Sequence, residues 1–273
     1  MMKLIKKILV YFFLTTAALS FIYPFIWMIM ASLSPEKDIG NLILFPSELT
    51  LNNYTMMISK IPIWRALFNS LFVSFINTGF SLVFCTMVGY ALARMEFKMR
   101  NLIFFIIIFT MSLPFQITLI PNYVLMVKLR WIDTYLSLTV PFMINAFGIL
   151  MFRQAFKGIP QALIDAARID GCGELRIVFR ILWPNIKPTI ITVAILAFMG
   201  SWNEVLWPLI VIRDEQLMTL PQLVTLFTVG GRAEAQLGVK LAAAVFLGAP
   251  IIIAYLIFRK YFIQSMASTG LKD

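Results

Sequence analysis

Apolar runs of membrane-spanning length alternate with short polar stretches along most of the chain. The first runs from Ile8 to about Leu33, and others cover residues 66–93, 101–121, 133–152, 188–212 and 241–262. A helix needs roughly 20 apolar residues to cross the hydrocarbon core of a bilayer, so an all-α fold with six transmembrane helices is predicted. Lys3, Lys6 and Lys7 resemble the basic start of a secretory leader, but the apolar run behind them is too long for one and reads as an uncleaved span. Pro35, Pro46 and Pro62 mark residues 34–65 as an extramembrane loop, and Pro114 and Pro121 predict a kink in the third span. Arg94, Lys98 and Arg100 close the second span, and Lys128 and Arg130 fall in a short connection before the fourth. Residues 213–240 read as a loop, and the end, with Ser265, Ser268 and Gly270, as a short tail. No low-complexity tract or internal repeat is evident, so residues 1–273 are expected to form a single transmembrane domain.

One long stretch between spans, residues 153–187, has a different pattern. Pro160 suits the first turn of a helix, where its missing N–H costs nothing. From Leu163 to Asp170 an amphipathic helix fits, with Leu163, Ile164 and Ala167 on one side. Gly171 and Gly173 supply the permissive backbone of a sharp turn. Leu175, Val178, Phe179 and Leu182 then recur at helical spacing, and Pro184 is expected to end that second pattern. The prediction is helix, glycine turn, helix, presented to water as a protrusion.

Composition agrees with a membrane protein, since 60% of the residues are apolar against about 45–50% in soluble domains. Charge supplies the orientation. With the N-terminus inside, fifteen of the 23 Lys and Arg fall on the inner side and eight on the outer, with five acids inside, so the whole net charge of +10 lies inside. That positive-inside bias places both termini and residues 153–187 in the cytoplasm and explains the basic character without nucleic acid. The chain has no histidine, and Cys85 and Cys172 form neither a disulfide pattern nor a zinc pattern. No phosphate-cradling Gly-x4-Gly-Lys-Ser/Thr occurs, nor any paired-carboxylate, Ser/His/Asp or metal-ligand arrangement. Enzymatic chemistry, a metal site and a cofactor on this chain are therefore not expected. Moving a solute uphill still needs energy. Driving a two-state protein from 1:99 to 99:1 takes about 5.5 kcal/mol of differential binding, and a rigid cytoplasmic protrusion is a lever through which a partner delivers it.

The run Asp165-Ala166-Ala167-x3-Gly171-x9-Ile181-x-Trp183-Pro184 resembles the EAA loop of ABC-importer permeases, which reads Glu-Ala-Ala-x3-Gly-x9-Ile-x-Leu-Pro. The spacing is kept, with Asp165 in place of Glu and Trp183 in place of Leu. Flanking runs make the chain similar to carbohydrate-uptake permeases of the maltose-transporter G-subunit type. They include Leu49-Thr-Leu-Asn-Asn-Tyr54, Asn69-Ser-Leu71, Tyr90-Ala-Leu-Ala-Arg94, Pro114-Phe-Gln116 and Leu119-Ile-Pro121. Phe147-Gly-Ile149, Arg153-Gln154 and Gly200-Ser-Trp-Asn203 complete the set.

The resemblance implies a type I ABC importer permease fold and a non-catalytic subunit that carries a carbohydrate (an oligosaccharide, a glycoside or a related polyol phosphate) across the cytoplasmic membrane. Its implied partners are a second homologous permease, two ATPase subunits holding the ATP and Mg, and an extracytoplasmic solute-binding protein. It makes Asp165, Ala166, Ala167, Arg168, Asp170 and Gly171 the coupling helix that seats in a cleft of the ATPase, with Ser268 and Gly270 as weaker contacts in the C-terminal tail. The alternative for the loop is an amphipathic helix lying on lipid headgroups.

Glu204 falls inside the fifth predicted span, where an ionised carboxylate costs about 2.5–3.5 kcal/mol and a polar surrounding is expected. Asn203 and Glu204 either line a sugar path or make an interhelical hydrogen bond near the outer interface, and Gln116 and Asn145 carry the same two readings. Trp202 and Trp207 either stack on a sugar ring or pack between helices. The 213–240 loop, with Gly230-Gly231, matches the place where relatives touch the binding protein, or simply connects two spans. An ion-driven carrier remains the competing class, with Glu204 as its one intramembrane acid. A membrane-embedded enzyme lacks the residues.

Overall fold

The computed structural model describes residues 2–39, 46–229 and 236–270, with side chains left aside at 2, 254, 255 and 257–270. Every regular element among them is helical. In chain order these are α1 (Met2–Ser32), α2 (Glu36–Ile39), α3 (Asn52–Lys60), α4 (Ile63–Arg94), α5 (Arg100–Thr110), α6 (Phe115–Leu129), α7 (Tyr135–Thr139) and α8 (Ala146–Lys157). They continue with α9 (Gln161–Ile169), α10 (Glu174–Arg176), α11 (Lys187–Trp202), α12 (Leu206–Val211), α13 (Leu220–Val229) and α14 (Leu237–Gly270). A π-helical turn at Ile177–Leu182 and a 3-10 turn at Trp183–Ile186 join α10 to α11, so the backbone is helical from Glu174 to Trp202. The chain divides into two units, Met1–Ile63 with Leu223–Ile252, and Trp64–Gln222 with Ile253–Asp273.

In the first unit α1 is apolar all round beyond Lys7, and its most apolar stretch is covered by none of the described residues. Such a helix belongs in lipid or against other spans. Its end is tied down by the Leu49–Tyr54 run. Asn53 Nδ2 donates to the carbonyls of Ser32 (2.9 Å) and Ser34 (2.8 Å), and the Tyr54 hydroxyl meets Ser32 Oγ at 2.8 Å. Helix ends leave carbonyls unpaired, and these contacts satisfy them. Across from them, Glu36 accepts from the N–H groups of Leu237 (2.6 Å) and Gly238 (3.0 Å), a carboxylate cap at the positive end of α14. Asp38 accepts from the Ser47 hydroxyl and N–H, and the hydroxyl bond above all holds its carboxyl below the usual range. The expected 34–65 loop therefore contains two short helices and a fixed set of polar ties. Asn53→Asp replaces two donors by a carboxylate facing two carbonyls. It should cost about 2–3 kcal/mol, measured as a lower melting temperature of the detergent-solubilised protein.

In the second unit α4 contains the whole of the predicted second span. The third span differs from the expected kinked rod. α5 stops at Thr110, and α6 leaves Pro114 at 101° to it. Pro114 lacks the N–H that would continue the helix, and its ring disfavours helical backbone before it. Pro121 sits inside α6 without ending it, and Lys128 belongs to that helix rather than to a connection. The fourth span is also two pieces, Tyr135–Phe142 and Ala146–Lys157, bent by 41°.

Three helices among the described residues are long and apolar enough to span alone, or up to five if each bent pair is one span. The sixth predicted stretch lies in α14, which also takes up Ser265, Ser268 and Gly270 as helix instead of a loose tail. The expected 213–240 loop holds α13, and Gly230-Gly231 lie outside the described residues. Asn69 and Ser70 fasten the segment before α13 to α4. Asn69 Nδ2 donates to Gln216 and Met218 carbonyls at 2.9 Å each, and Ser70 Oγ accepts from Leu220 N–H at 2.7 Å.

Candidate functional site

The segment expected to protrude over residues 153–187 is narrower. Residues 153–157 finish α8, and residues 174–187 already belong to the long helix that becomes α11. Pro184 does not end that helix. It sits at the start of the 3-10 turn, directly after the wide π turn, and the change of helical pitch accommodates it. What remains outside is α9 and its two connections.

α9 is held by one face. Ile164 and Ala167 are buried against a core that includes Leu92, Phe152, Phe156, Ile177 and Leu182. Its other face, with Asp165, Ala166, Arg168, Ile169 and Asp170, is uncovered, and Ile169 is 86% exposed. Gly171 ends the helix in the left-handed region at φ +78, and the Cys172 N–H reaches back to the Ala167 carbonyl while the Gly171 N–H reaches that of Arg168, both at 3.0 Å. This is the Schellman arrangement, which favours glycine at that position. Gly171 thus has its predicted turning role. Gly173 has ordinary extended backbone at the start of α10.

Two residues one turn apart at the C-terminal end of α4 grip this segment at both ends. Arg94 donates from Nε (3.0 Å) and Nη2 (2.6 Å) to the Phe156 carbonyl, from Nη2 to those of Lys157 and Ile159, and from Nη1 to Gln161 Oε1 at 3.0 Å. A guanidinium thereby gathers the carbonyls at the negative end of α8. Gln161 in turn donates to Asp165 Oδ1 at 2.9 Å, so the shorter acid that replaces Glu is held within its own helix. At the exit, the Tyr90 hydroxyl donates to Glu174, whose other oxygen takes Nε and Nη2 of Arg168, both at 2.9 Å. The hydrogen bond to Glu174 pushes the Arg168 pKa further up. Trp183, the second departure from the family pattern, donates its indole N–H to Thr86 Oγ1 of α4 at 3.2 Å.

A cavity of about 340 Å³ lies in the same unit, walled by α4 (Val73, Asn77), the α7 region (Leu138, Phe142), α11 (Val193 to Ser201) and Trp207. Asn145, Glu204 and Thr219 add polar groups. Glu204 accepts from the Trp207 N–H at 3.0 Å, so one of its oxygens caps α12 in the break between α11 and α12. Asn145 caps α8, accepting from Gly148 N–H at 2.6 Å, and donates to Ser81 at 2.7 Å. Gln116 and Asn203 do not line this cavity and are exposed on the chain. Trp202 is buried and stacked on Phe198, while Trp207 lies in the wall with its N–H on the Ser137 carbonyl at 2.7 Å. The backbone at Ser268 and Gly270 is helical.

The sequence alone offers Tyr90 as part of a family run and Arg94 as the close of the second span, and it gives Glu174, Asn77 and Thr219 no role of their own. The available signals were a Tyr and an Arg at i, i+4 on the last turn of a span, and an amide in mid-span.

Fold and geometry together define, among the described residues, an all-helical chain with several apolar helices of membrane-spanning length and a helical knuckle fastened to α4. A family model described as binding-protein-dependent transport system inner membrane component matches residues 85–268. The arabinooligosaccharides transport system permease protein AraQ of Halalkalibacterium halodurans is 37% identical, over 92% of this chain and 91% of its own. The protein of the same name from Bacillus subtilis is 35% identical, over 98% and 96%. The crystal structure of a bacterial ABC transporter involved in import of the acidic polysaccharide alginate matches with a TM-score of 0.82 at 26% identity, covering 94% of this chain and 96% of that one.

The chain belongs to the binding-protein-dependent transport system inner-membrane component family. It is a multi-pass membrane permease subunit of an ABC importer and not an enzyme, since ATP hydrolysis in these systems belongs to separate ATPase subunits. The ion-driven carrier is thereby set aside.

Proposed function

We propose that α9 with Asp170 and Gly171 is the element on which an ATPase subunit acts, and that the solute carried is a carbohydrate. The supporting observation is the split surface of α9. Ile164 and Ala167 lock it to the unit beneath, while Asp165, Ala166, Arg168 and the uncovered Ile169 face away from the chain. Small side chains at Ala166 and Gly171 let a partner's backbone come close, and the clamp from α4 transmits what the partner does. The full assembly comprises a second homologous permease, two ATPase subunits bearing ATP and Mg, and an extracytoplasmic binding protein. Both termini face the cytoplasm, a reading supported by the inner excess of Lys and Arg. Ser268 and Gly270 are secondary ATPase contacts. The two AraQ relatives, named for arabinooligosaccharides, support the carbohydrate reading.

Ile169→Asp tests the docking face without touching the core. In the assembled transporter it should lower ATP-driven uptake at least tenfold and weaken retention of the ATPase, with membrane insertion unchanged. Unaltered uptake and unaltered ATPase stoichiometry would refute the assignment.

A further inference from the structure

The cavity of the second unit contains two polar atoms with nothing to bond. Asn77 is 3% exposed and Thr219 5%, both line the cavity, and Asn77 Oδ1 and Thr219 Oγ1 have no hydrogen-bond partner among the described residues. The Asn77 amide is oriented by its own donors. Its Nδ2 is fixed by the Leu138 carbonyl at 3.1 Å and Ser201 Oγ at 3.0 Å, which sets where Oδ1 points. Glu204 gives Oε1 to the Trp207 N–H, and its second oxygen has no donor among the described residues. A buried polar atom left unpaired costs about 1–3 kcal/mol, so two of them in one cavity call for an occupant. The size matches a small-molecule site, and the remaining wall is apolar and aromatic, with Phe142 and Trp207 set edge to face.

We propose that this cavity is a hydroxyl-binding subsite of this chain for an uncharged sugar residue. The assignment rests on the carbohydrate reading above. Asn77 Oδ1 and the free Glu204 oxygen accept from sugar hydroxyls, Thr219 Oγ1 bonds a further one, and the aromatic wall takes the apolar ring face. No Lys or Arg lines the cavity, whereas Glu204 brings the one carboxylate. An anionic glycan would set its charge beside that carboxylate away from bulk water, with no cation to offset it. The subsite therefore selects against acidic sugars, unlike a system that imports alginate.

The test uses the assembled transporter in nanodiscs, without ATP or binding protein, and two probes, arabinotriose and an alginate trisaccharide, titrated calorimetrically. Uptake of arabinotriose into proteoliposomes is followed in parallel. Arabinotriose should bind, and the alginate trisaccharide at least about tenfold more weakly. Thr219→Val keeps the shape and removes the orphan hydroxyl, so the melting temperature should hold or rise while arabinotriose affinity falls about fivefold. A hydroxyl satisfied by ordered water would show no loss of affinity. Glu204→Gln, which retains an oxygen for Trp207, should narrow the preference against the alginate trisaccharide by about tenfold. Equal binding of the two probes, or arabinotriose uptake that continues with Thr219→Val binding as wild type, overturns the subsite and leaves the carbohydrate reading intact. Neither binding nor uptake of arabinotriose at millimolar concentration overturns both. Ile169→Asp should bind arabinotriose as wild type, which separates failure of docking from failure of the cavity.

Discussion

Arg94→Met should abolish most ATP-driven uptake while ATP hydrolysis continues. The side chain serves three carbonyls at the end of α8 and the amide of Gln161, so its removal frees both the entry to α9 and the acceptors that it covered. Hydrogen bonds from a charged donor contribute about 1.5–3 kcal/mol each, and part of this cluster is shared with solvent. A net loss of about 3 kcal/mol is a conservative figure, which corresponds to roughly a hundredfold in the population of the clamped arrangement. The readout is solute moved per ATP hydrolysed in proteoliposomes, expected to fall at least tenfold. Arg94→Lys should recover little, because one ammonium cannot fork across carbonyls and an amide in different directions. An unchanged ratio of uptake to hydrolysis in Arg94→Met would show that α4 does not transmit the motion.

That expectation gives α4 a defined mechanical role. Its last turn carries Tyr90 and Arg94, and Asn77 projects into the cavity from the same helix. Seventeen residues at 1.5 Å each separate Arg94 from Asn77, about 25 Å of rod. On the proposed role of α9, its displacement would reach the cavity through this helix without an intervening loop. The π turn at Ile177–Leu182 offers a second connection, since it lies between Glu174, which holds Arg168, and α11, which forms another cavity wall.

How much of this was readable beforehand follows from the range of each interaction. The apolar run at 66–93 and the turn at Gly171 were legible because hydrophobic length and left-handed backbone are local properties. Pro114 was legible as a disturbance but not as a 101° break, because a proline removes a hydrogen bond and leaves the new direction to packing. Pro184 does not act as the stop that its residue type suggests. Whether a proline ends a helix depends on the pitch around it, and no residue type announces a π turn. Asn145 and Glu204 were recognised as polar groups needing partners, yet both act partly as helix caps, which depends on breaks at 143–145 and 203–205 that hydropathy does not mark. Arg94 is the clearest loss, since its role exists only because the end of α8 lies beside the end of α4.

Gly89→Ala and Gly79→Ala should move stability in opposite directions although both lie in α4. A Cβ at Gly89 would stand 2.7 Å from Phe152 Cβ, 3.0 Å from Arg153 N and 3.2 Å from the Ile149 carbonyl. Two of those atoms are backbone and the third is a Cβ, so none can swing aside, and α4 and α8 must separate. Arg153 would be displaced with them. It is buried beside this crossing, with its guanidinium 3.7 Å from the Phe104 ring centroid. Overpacking of this kind costs about 1–3 kcal/mol, and the upper end applies where backbone must yield. The melting temperature should drop by roughly 5 °C or more. At Gly79 a Cβ meets nothing within 4 Å, so replacing glycine in mid-helix should be neutral or stabilising by up to about 1 kcal/mol. Because helix propensity is common to both sites, the difference isolates the α4–α8 crossing. That crossing also sets where Arg94 meets the end of α8, so Gly89→Ala should lower uptake per ATP as well. Equal thermal shifts for the two variants would mean that the helices do not touch there.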